Sequence, residues 1–212
     1  MVPGPDVKSD VVQFDAAARP EIAEEAELVE RAQALPRAFG DLYDLYYGKI
    51  LGYVYRRTLD AAVAEELTSN TFFKALRALP EYAHRGHFGA WLYRIATNEI
   101  KVHRRTTSSR RESGLKWREE LGRVHFACPG PGGEEDAEEK MRTFAQLHEA
   151  LRRLPEAYQV VISLRYFEAM PYAEIAEVLG KRLGTVKSLI HRGLERLKRQ
   201  YRREPREEGF SP

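Results

Sequence analysis

Apolar residues recur at i, i+3 and i+4 spacing through two long stretches of this chain. Between them, over the 33 residues from Ser108 to Lys140, the period vanishes. A helical apolar stripe must be buried against a partner stripe, so two patterned stretches on either side of an unpatterned one imply two separate cores. The interruption contains TTSSRRESG and then CPGPGGEEDAEE, rich in turn-formers and like charges, with room for one short turn at Leu115–Leu121. It reads as a flexible acidic linker. Fully extended at ~3.3 Å per residue it would reach ~110 Å, enough to hold two domains far apart.

No period-2 run bounded by turn residues is present, so the fold class expected is all-α: two small helical domains joined by that linker. In the first domain a helix is expected over Leu42–Arg57, with Leu42, Leu45, Tyr46, Ile50, Tyr53 and Val54 inward. A second covers Ala61–Leu79, with Val63, Leu67, Phe72, Ala75 and Leu76 on its core side, and stops at Pro80. A third covers Phe88–Arg105 and buries Trp91, Leu92, Ile95, Ala96 and Ile100. A weaker helix fits Glu21–Leu35. In the second domain Phe144, Leu147, Leu151 and Leu154 form one stripe, and Pro155 opens a helix carrying Tyr158, Val161, Ile162, Arg165 and Tyr166. A short helix, Tyr172–Leu179, is joined by the turn GKRLG to a long one over Thr185–Arg199, the pattern of a helix-turn-helix unit. The divisions are then an acidic extension at 1–36, a first domain at 37–107, the linker at 108–140, a second domain at 141–203 and a tail at 204–212.

The 34 Lys and Arg nearly balance the 32 Asp and Glu, for a net charge of +2. That balance hides an alternation: −5 over residues 1–36, +6 over 37–111, −4 over 112–140 and +5 over 141–212. Basic blocks suit a polyanion such as nucleic acid, where counterion release drives association. Charge-rich helical proteins also solvate themselves this way, so charge alone does not decide. No run approaches the roughly 18 apolar residues of a membrane span, and the first twenty residues lack the basic start and apolar core of a secretory signal. A soluble cytoplasmic protein without membrane insertion is expected. The single cysteine, Cys128, leaves no internal disulfide framework. His84 with His87, and His125 with Cys128, are pairs that nothing completes into a metal site. Neither a G-x-x-x-x-G-K-[ST] loop nor a G-x-S-x-G elbow occurs. No metal, cofactor or catalytic residue is expected.

The last helix is the most informative element. At about 100° per residue, Lys187, Ser188, His191, Arg192, Glu195, Lys198 and Arg199 share one arc, while Val186, Ile190, Leu194 and Leu197 share the opposite side. Leu189 falls outside both groups. One face can dock on the domain while the other offers cations to a major groove, where Lys and Arg donate to guanine O6 and N7. Amides at the helix start, with Thr185, suit a phosphate. An ordinary amphipathic surface helix has the same face pattern.

Assembled in this order, the chain resembles the extracytoplasmic-function class of bacterial sigma factors, the smallest members of the sigma-seventy family. FGDLYDLYYGKILGYVYRR, AEELTSNTFFKAL and FGAWLYRIATNEIKVHRR resemble conserved region 2. LRRLPEAYQVVISLRYFEAMPYAEIAEVLGKRLGTVKSLIHRGLERLKR resembles region 4, and no region 3 domain intervenes. The resemblance implies a bacterial, cytoplasmic and nucleoid-associated subunit that binds core RNA polymerase and directs promoter-specific initiation, without an active site of its own. Region 2 would dock on the β′ clamp helices, where Glu65, Glu66, Ser69, Phe72 and Phe73 match the docking helix. Ser69 stands where glutamine is usual, and Phe72 and Phe73 also read as core.

Region 2 would further capture the melted −10 strand, which needs stacking surfaces and hydrogen bonds for an extruded base. The loop offers Tyr82, His84, Arg85, His87 and Phe88, and the helix after it Tyr93, Arg94, Asn98, Lys101, Arg104 and Arg105. Asn98 stands at a family base-contact position. The loop departs from the commoner Phe-Arg-Gly-x-Ser-x-Phe form, because Arg85-Gly86 sits two residues later. Region 4 would read the −35 element with Arg182, Thr185, Lys187, Ser188, Leu189, His191 and Arg192. Leu189 often corresponds to an arginine in the family. The β flap would meet the apolar side near Tyr158–Phe167, and the acidic linker would thread toward the RNA exit channel. An anti-sigma factor is the implied inhibitor. The acidic extension could instead shield the basic surfaces in cis, through a modest face of Ile22, Ala26, Val29, Ala32 and Leu35 or as a disordered segment. An autonomous helix-turn-helix regulator explains residues 141–203 but gives the first domain no task.

Overall fold

The computed structural model describes residues 20–83, 87–107 and 146–203, and all the regular structure among them is helical. Helix α1 (Pro20–Ala34) leads through a short 3₁₀ turn into α2 (Phe39–Thr58). Leu59 ends α2 in the left-handed region at φ 56°, and one residue later Asp60 opens α3 (Ala61–Ala78) by accepting the Val63 N–H at 3.0 Å. A cap of this kind satisfies one of the four orphan amides of a helix start, so two helices are joined with no loop between them. Pro80 sits in a 3₁₀ turn, Leu79–Glu81, that closes α3. Helix α4 (Phe88–Thr107) follows.

Ile50, Tyr53 and Val54 of α2 meet Leu67, Phe72 and Ala75 of α3 and Leu92, Ala96 and Ile100 of α4 in the core, with Val29 and Ala32 of α1 closing one side. Two expected core residues are not there. Leu45 is 42% exposed and Leu76 is 39% exposed. The apolar stripe of each helix is wider than the arc its neighbours can cover, so residues on the margin face outward.

The second group begins with α5, a helix over 146–152 in the described residues, and α6 (Glu156–Ile162). The last turn of α6 widens into a π turn, Ser163–Phe167, where Glu168 donates its N–H to the Ser163 carbonyl at 3.3 Å. Ala169 then takes φ 51° and turns the chain into α7 (Tyr172–Leu179). Gly180, at φ 59°, ends α7. That one left-handed residue makes the whole turn, so Leu183 and Gly184, expected in the turn, already belong to α8 (Leu183–Arg203). Gly193 lets α8 close on α6, since a Cβ there would lie 3.1 Å from Ile162 Cδ1.

The two groups touch. Helix α7 packs along α4, and Glu168 is placed between Arg56 of α2 and Tyr93 of α4, paired with the first and accepting the phenolic O–H of the second. Residues 1–19, 84–86, 108–145 and 204–212 lie outside the described residues, and with them the linker, its turn at Leu115–Leu121, and Phe144.

Candidate nucleic-acid interface

Aromatic rings gather where the segment before α4 meets the first turn of that helix. Tyr82 lies 4.7 Å from Trp91 and 5.8 Å from Phe88, centroid to centroid, and Phe88 lies 5.4 Å from Trp91. Beside them opens a cleft of about 530 Å³ lined by Tyr82, His87, Trp91 and Arg94, with Glu177 of α7 at its edge. From the cleft a stripe runs down α4. His87, Arg94, Asn98, Lys101 and Arg105 follow one another at spacings of seven, four, three and four, which aligns them on one side of the helix. Arg94, Asn98, Lys101 and Arg105 are exposed, and His87 and Trp91 are half-buried. Stacking surface at one end and a cationic, hydrogen-bonding ribbon along the rest is the chemistry a single strand needs.

Three residues assigned to this surface from the sequence sit elsewhere in this conformation. Phe88 and Tyr93 are buried, Phe88 against Tyr46 and Tyr93 edge-on to Tyr53. Arg104 donates to the Arg57 carbonyl at 2.7 Å and to Gln159 at 3.3 Å. His84 and Arg85 lie outside the described residues.

Two polar residues of α1 hold the cleft together, and sequence reasoning missed both. Glu25 accepts the Phe88 N–H at 2.7 Å, capping α4, and its other oxygen accepts the Tyr46 hydroxyl. Gln33 donates to the carbonyls of Leu79 at 3.0 Å and Tyr82 at 2.7 Å. Burial pushes the Tyr82 phenol up to about 12, with Glu25 and Glu177 adding to the effect. It is a neutral ring, suited to stacking, at any physiological pH. Gly89 completes the packing, because a Cβ there would lie 2.8 Å from the Tyr46 hydroxyl oxygen.

On α3, Glu65, Glu66, Ser69 and Phe73 are exposed along one side, with Phe73 60% exposed. Leu76 joins them, so its departure from the core enlarges an outward apolar patch. Phe72 is buried instead, against the rings of Phe39, Tyr43 and Tyr47.

On α8 the face pattern expected from the sequence is present. Val186 and Ile190 are buried and Leu194 and Leu197 half-buried, while Arg182, Thr185, Lys187, Ser188, His191 and Arg192 are exposed. Leu189 is half-buried and packs on the core. Arg196 leans over the Tyr158 ring at 5.1 Å, and Ser188 donates its hydroxyl back to the Gly184 carbonyl at 2.9 Å. Tyr166, in the apolar stretch over Tyr158–Phe167, is exposed and Phe167 half-buried.

One helical domain carries an aromatic cleft that continues into a cationic ribbon, the other a helix-turn-helix with a cationic outer face, and the chain belongs to the sigma-70 family. The family's region 2 matches residues 42–110 and its region 4 matches residues 144–197. It is 37% identical over 185 residues to the ECF RNA polymerase sigma factor BldN of Streptomyces coelicolor, covering 86% of this chain and 68% of that one. It is 30% identical over 167 residues to the ECF RNA polymerase sigma factor SigW of Bacillus subtilis, covering 78% and 89%. Its fold is that of CnrH, solved with the cytosolic domain of CnrY, at a TM-score of 0.63 and 21% identity over 85% of this chain and 99% of that one. The Bartonella quintana RpoE, solved with the anti-sigma factor NepR, gives 0.57 and 20% over 79% and 98%. Like other ECF sigma factors, the protein binds core RNA polymerase and directs promoter-specific initiation through −10 and −35 elements. Members of the family are specificity subunits of the polymerase. No helix among the described residues is long and apolar enough to cross a membrane.

Proposed function

We propose that this chain divides promoter recognition between the two faces just described, and that polymerase docking uses a third. The α4 ribbon holds the opened −10 strand: Tyr82, His87 and Trp91 stack or clasp an extruded base, with His84 and Arg85 beside them, and Arg94, Asn98, Lys101 and Arg105 follow the strand. The exposed side of α8 enters the major groove at −35, with Lys187, His191 and Arg192 toward base edges and Arg182, Thr185 and Ser188 toward the backbone. Glu65, Glu66, Ser69 and Phe73 of α3 meet the β′ clamp helices, and Phe72 supports them from within. The β flap meets the Tyr158–Phe167 side. Catalysis belongs wholly to the core enzyme, and the protein works in the cytoplasm at the nucleoid. CnrH and RpoE were solved with partners, which supports an anti-sigma factor for this chain as well.

The observation that carries this reading is the alignment of Arg94, Asn98, Lys101 and Arg105 as a continuation of the aromatic cleft. Trp91→Ala and Asn98→Ala, each assembled with core polymerase, should lose permanganate-reactive thymines at −10 while still protecting the −35 duplex. Undiminished opening in both would overturn the assignment. The autonomous-regulator alternative leaves this ribbon without a task.

A further inference from the structure

Helix α1 grips the backbone at both margins of the aromatic cleft. On the α4 side, Glu25 accepts the Phe88 N–H at 2.7 Å, and its other carboxylate oxygen accepts the Tyr46 hydroxyl. On the α3 side, the Gln33 side-chain amide donates to the Leu79 carbonyl at 3.0 Å and to the Tyr82 carbonyl at 2.7 Å. The Leu79 carbonyl also accepts the Tyr82 N–H at 3.0 Å, so the turn that delivers the Tyr82 ring is closed by its own backbone and pinned from outside. Glu25 and Gln33 lie eight residues apart, about 12 Å along one helix. Val29, between them, is buried and ties that helix to the core. Each anchor thus ends on a backbone group of a residue whose ring flanks Trp91: Tyr82 at 4.7 Å and Phe88 at 5.4 Å.

We propose that Glu25 and Gln33 are positioning residues for base selection at −10: by holding both margins, α1 sets the width of the cleft and so which extruded base fits beside Trp91. The inference rests on reading the α4 ribbon as the strand site. Stacking alone accepts every base, because each has a π face. Discrimination needs the rings held in register by groups whose own positions are locked. Glu25 is buried and the Gln33 amide is engaged by two carbonyls, so both act through the rings and not on the strand. Their chemistry differs. A carboxylate at the start of α4 satisfies an orphan amide and meets the positive end of the helix dipole. Tyr46 restrains that carboxylate and is itself wedged against α4, since a Cβ on Gly89 would lie 2.8 Å from its hydroxyl oxygen. A glutamine at position 25 would still present an oxygen to the Phe88 N–H. Gln33 works only as a donor, because a carboxylate of the same shape would face two carbonyl oxygens. Exchange of acid and amide is therefore tolerated at 25 and not at 33.

The test uses the full chain assembled with core polymerase and single-stranded oligonucleotides carrying a randomised −10 segment, sequenced before and after capture. The parent should enrich one base at the position whose preference Trp91→Ala abolishes. Gln33→Glu and Glu25→Ala should cut that enrichment at least fivefold and leave the other positions within twofold. Glu25→Gln should keep at least half of it. Glu27→Gln/Glu30→Gln, on the exposed side of α1, should match the parent. Parent-like enrichment in both Gln33→Glu and Glu25→Ala overturns the proposal. A loss spread evenly over all positions, with a matching fall in the urea midpoint, assigns both residues to folding and also overturns it. So does a Glu25→Gln variant as impaired as Glu25→Ala, because the bond to the Phe88 N–H would then not be what acts. Trp91→Ala separates the two readings. If it leaves every preference intact, the strand site is misassigned and the positioning falls with it; if it abolishes a preference that the α1 variants keep, the positioning alone falls.

Discussion

Glu25 has partners 21 and 63 residues further along the chain, the Tyr46 hydroxyl and the Phe88 amide. No spacing rule connects those positions, and in the sequence Glu25 is one acidic residue in an acidic stretch. Its role exists only because α1 lies across the start of α4. His148 is similar. Burial, reinforced by the Arg56 charge, holds its imidazole from the usual 6.5 down to about 4. The unfolded chain takes up that proton near the usual value. Between the two values it therefore binds more protons than the folded chain, and stability falls as pH drops from 6.5 toward 4. The expected loss across this window is on the order of 3 kcal/mol. His148→Gln should flatten that limb of a urea-midpoint profile, and a profile that keeps its slope would exclude His148 as the cause. Ala169 is strained for a simpler reason. At φ 51° its Cβ crowds the backbone, so Ala169→Gly should raise stability by about 1 kcal/mol, read as a higher urea midpoint.

At the scale of elements, periodicity found every helix of the described residues to within a few positions, including α1. Inward and outward assignments followed where a stripe is narrow, as on α8. They failed at Leu45 and Leu76, where the stripe is wide and only the neighbouring helices decide how much of it is covered. Leu76 is the instructive case, because its exposure puts it beside Phe73 on the side of α3 that we propose meets the polymerase. Neither side chain contributes much to the core. Phe73→Ala and Leu76→Ala should therefore leave the melting temperature within about 2 °C, corresponding to less than ~0.5 kcal/mol for a surface change. Core-polymerase affinity should fall roughly tenfold in competition assays. A matching loss of stability would show instead that these residues serve packing. The turns divide in the same way. Gly180 is a glycine where φ is positive, and the sequence marks it. Leu59 and Ala169 adopt positive φ without glycine, and no local signal predicts that.

For the whole molecule, the alternating charge now has locations: the +6 block contains the α4 ribbon and the +5 block the α8 face. Binding of the assembled enzyme to promoter DNA should weaken linearly on a log–log salt plot. Arg182→Ala should make the slope shallower by about 1, as expected when one backbone-facing cation is removed. A slope identical to that of the parent would place Arg182 away from the phosphates. The linker length permits wide separation of the domains, yet α7 lies along α4, and the pairing of Glu168 with Arg56 spans 112 residues. The sequence alone determined the helical fold class, the two patterned halves, the amphipathic face of α8 and the family, because each is encoded in local period, turn chemistry or ordered motifs. The tertiary structure alone decided that Glu25 and Gln33 brace the cleft, that Leu76 faces outward and that α7 lies along α4 at the cleft. Those outcomes depend on which surfaces meet, and a meeting between residues far apart in the chain leaves no periodic trace in either partner.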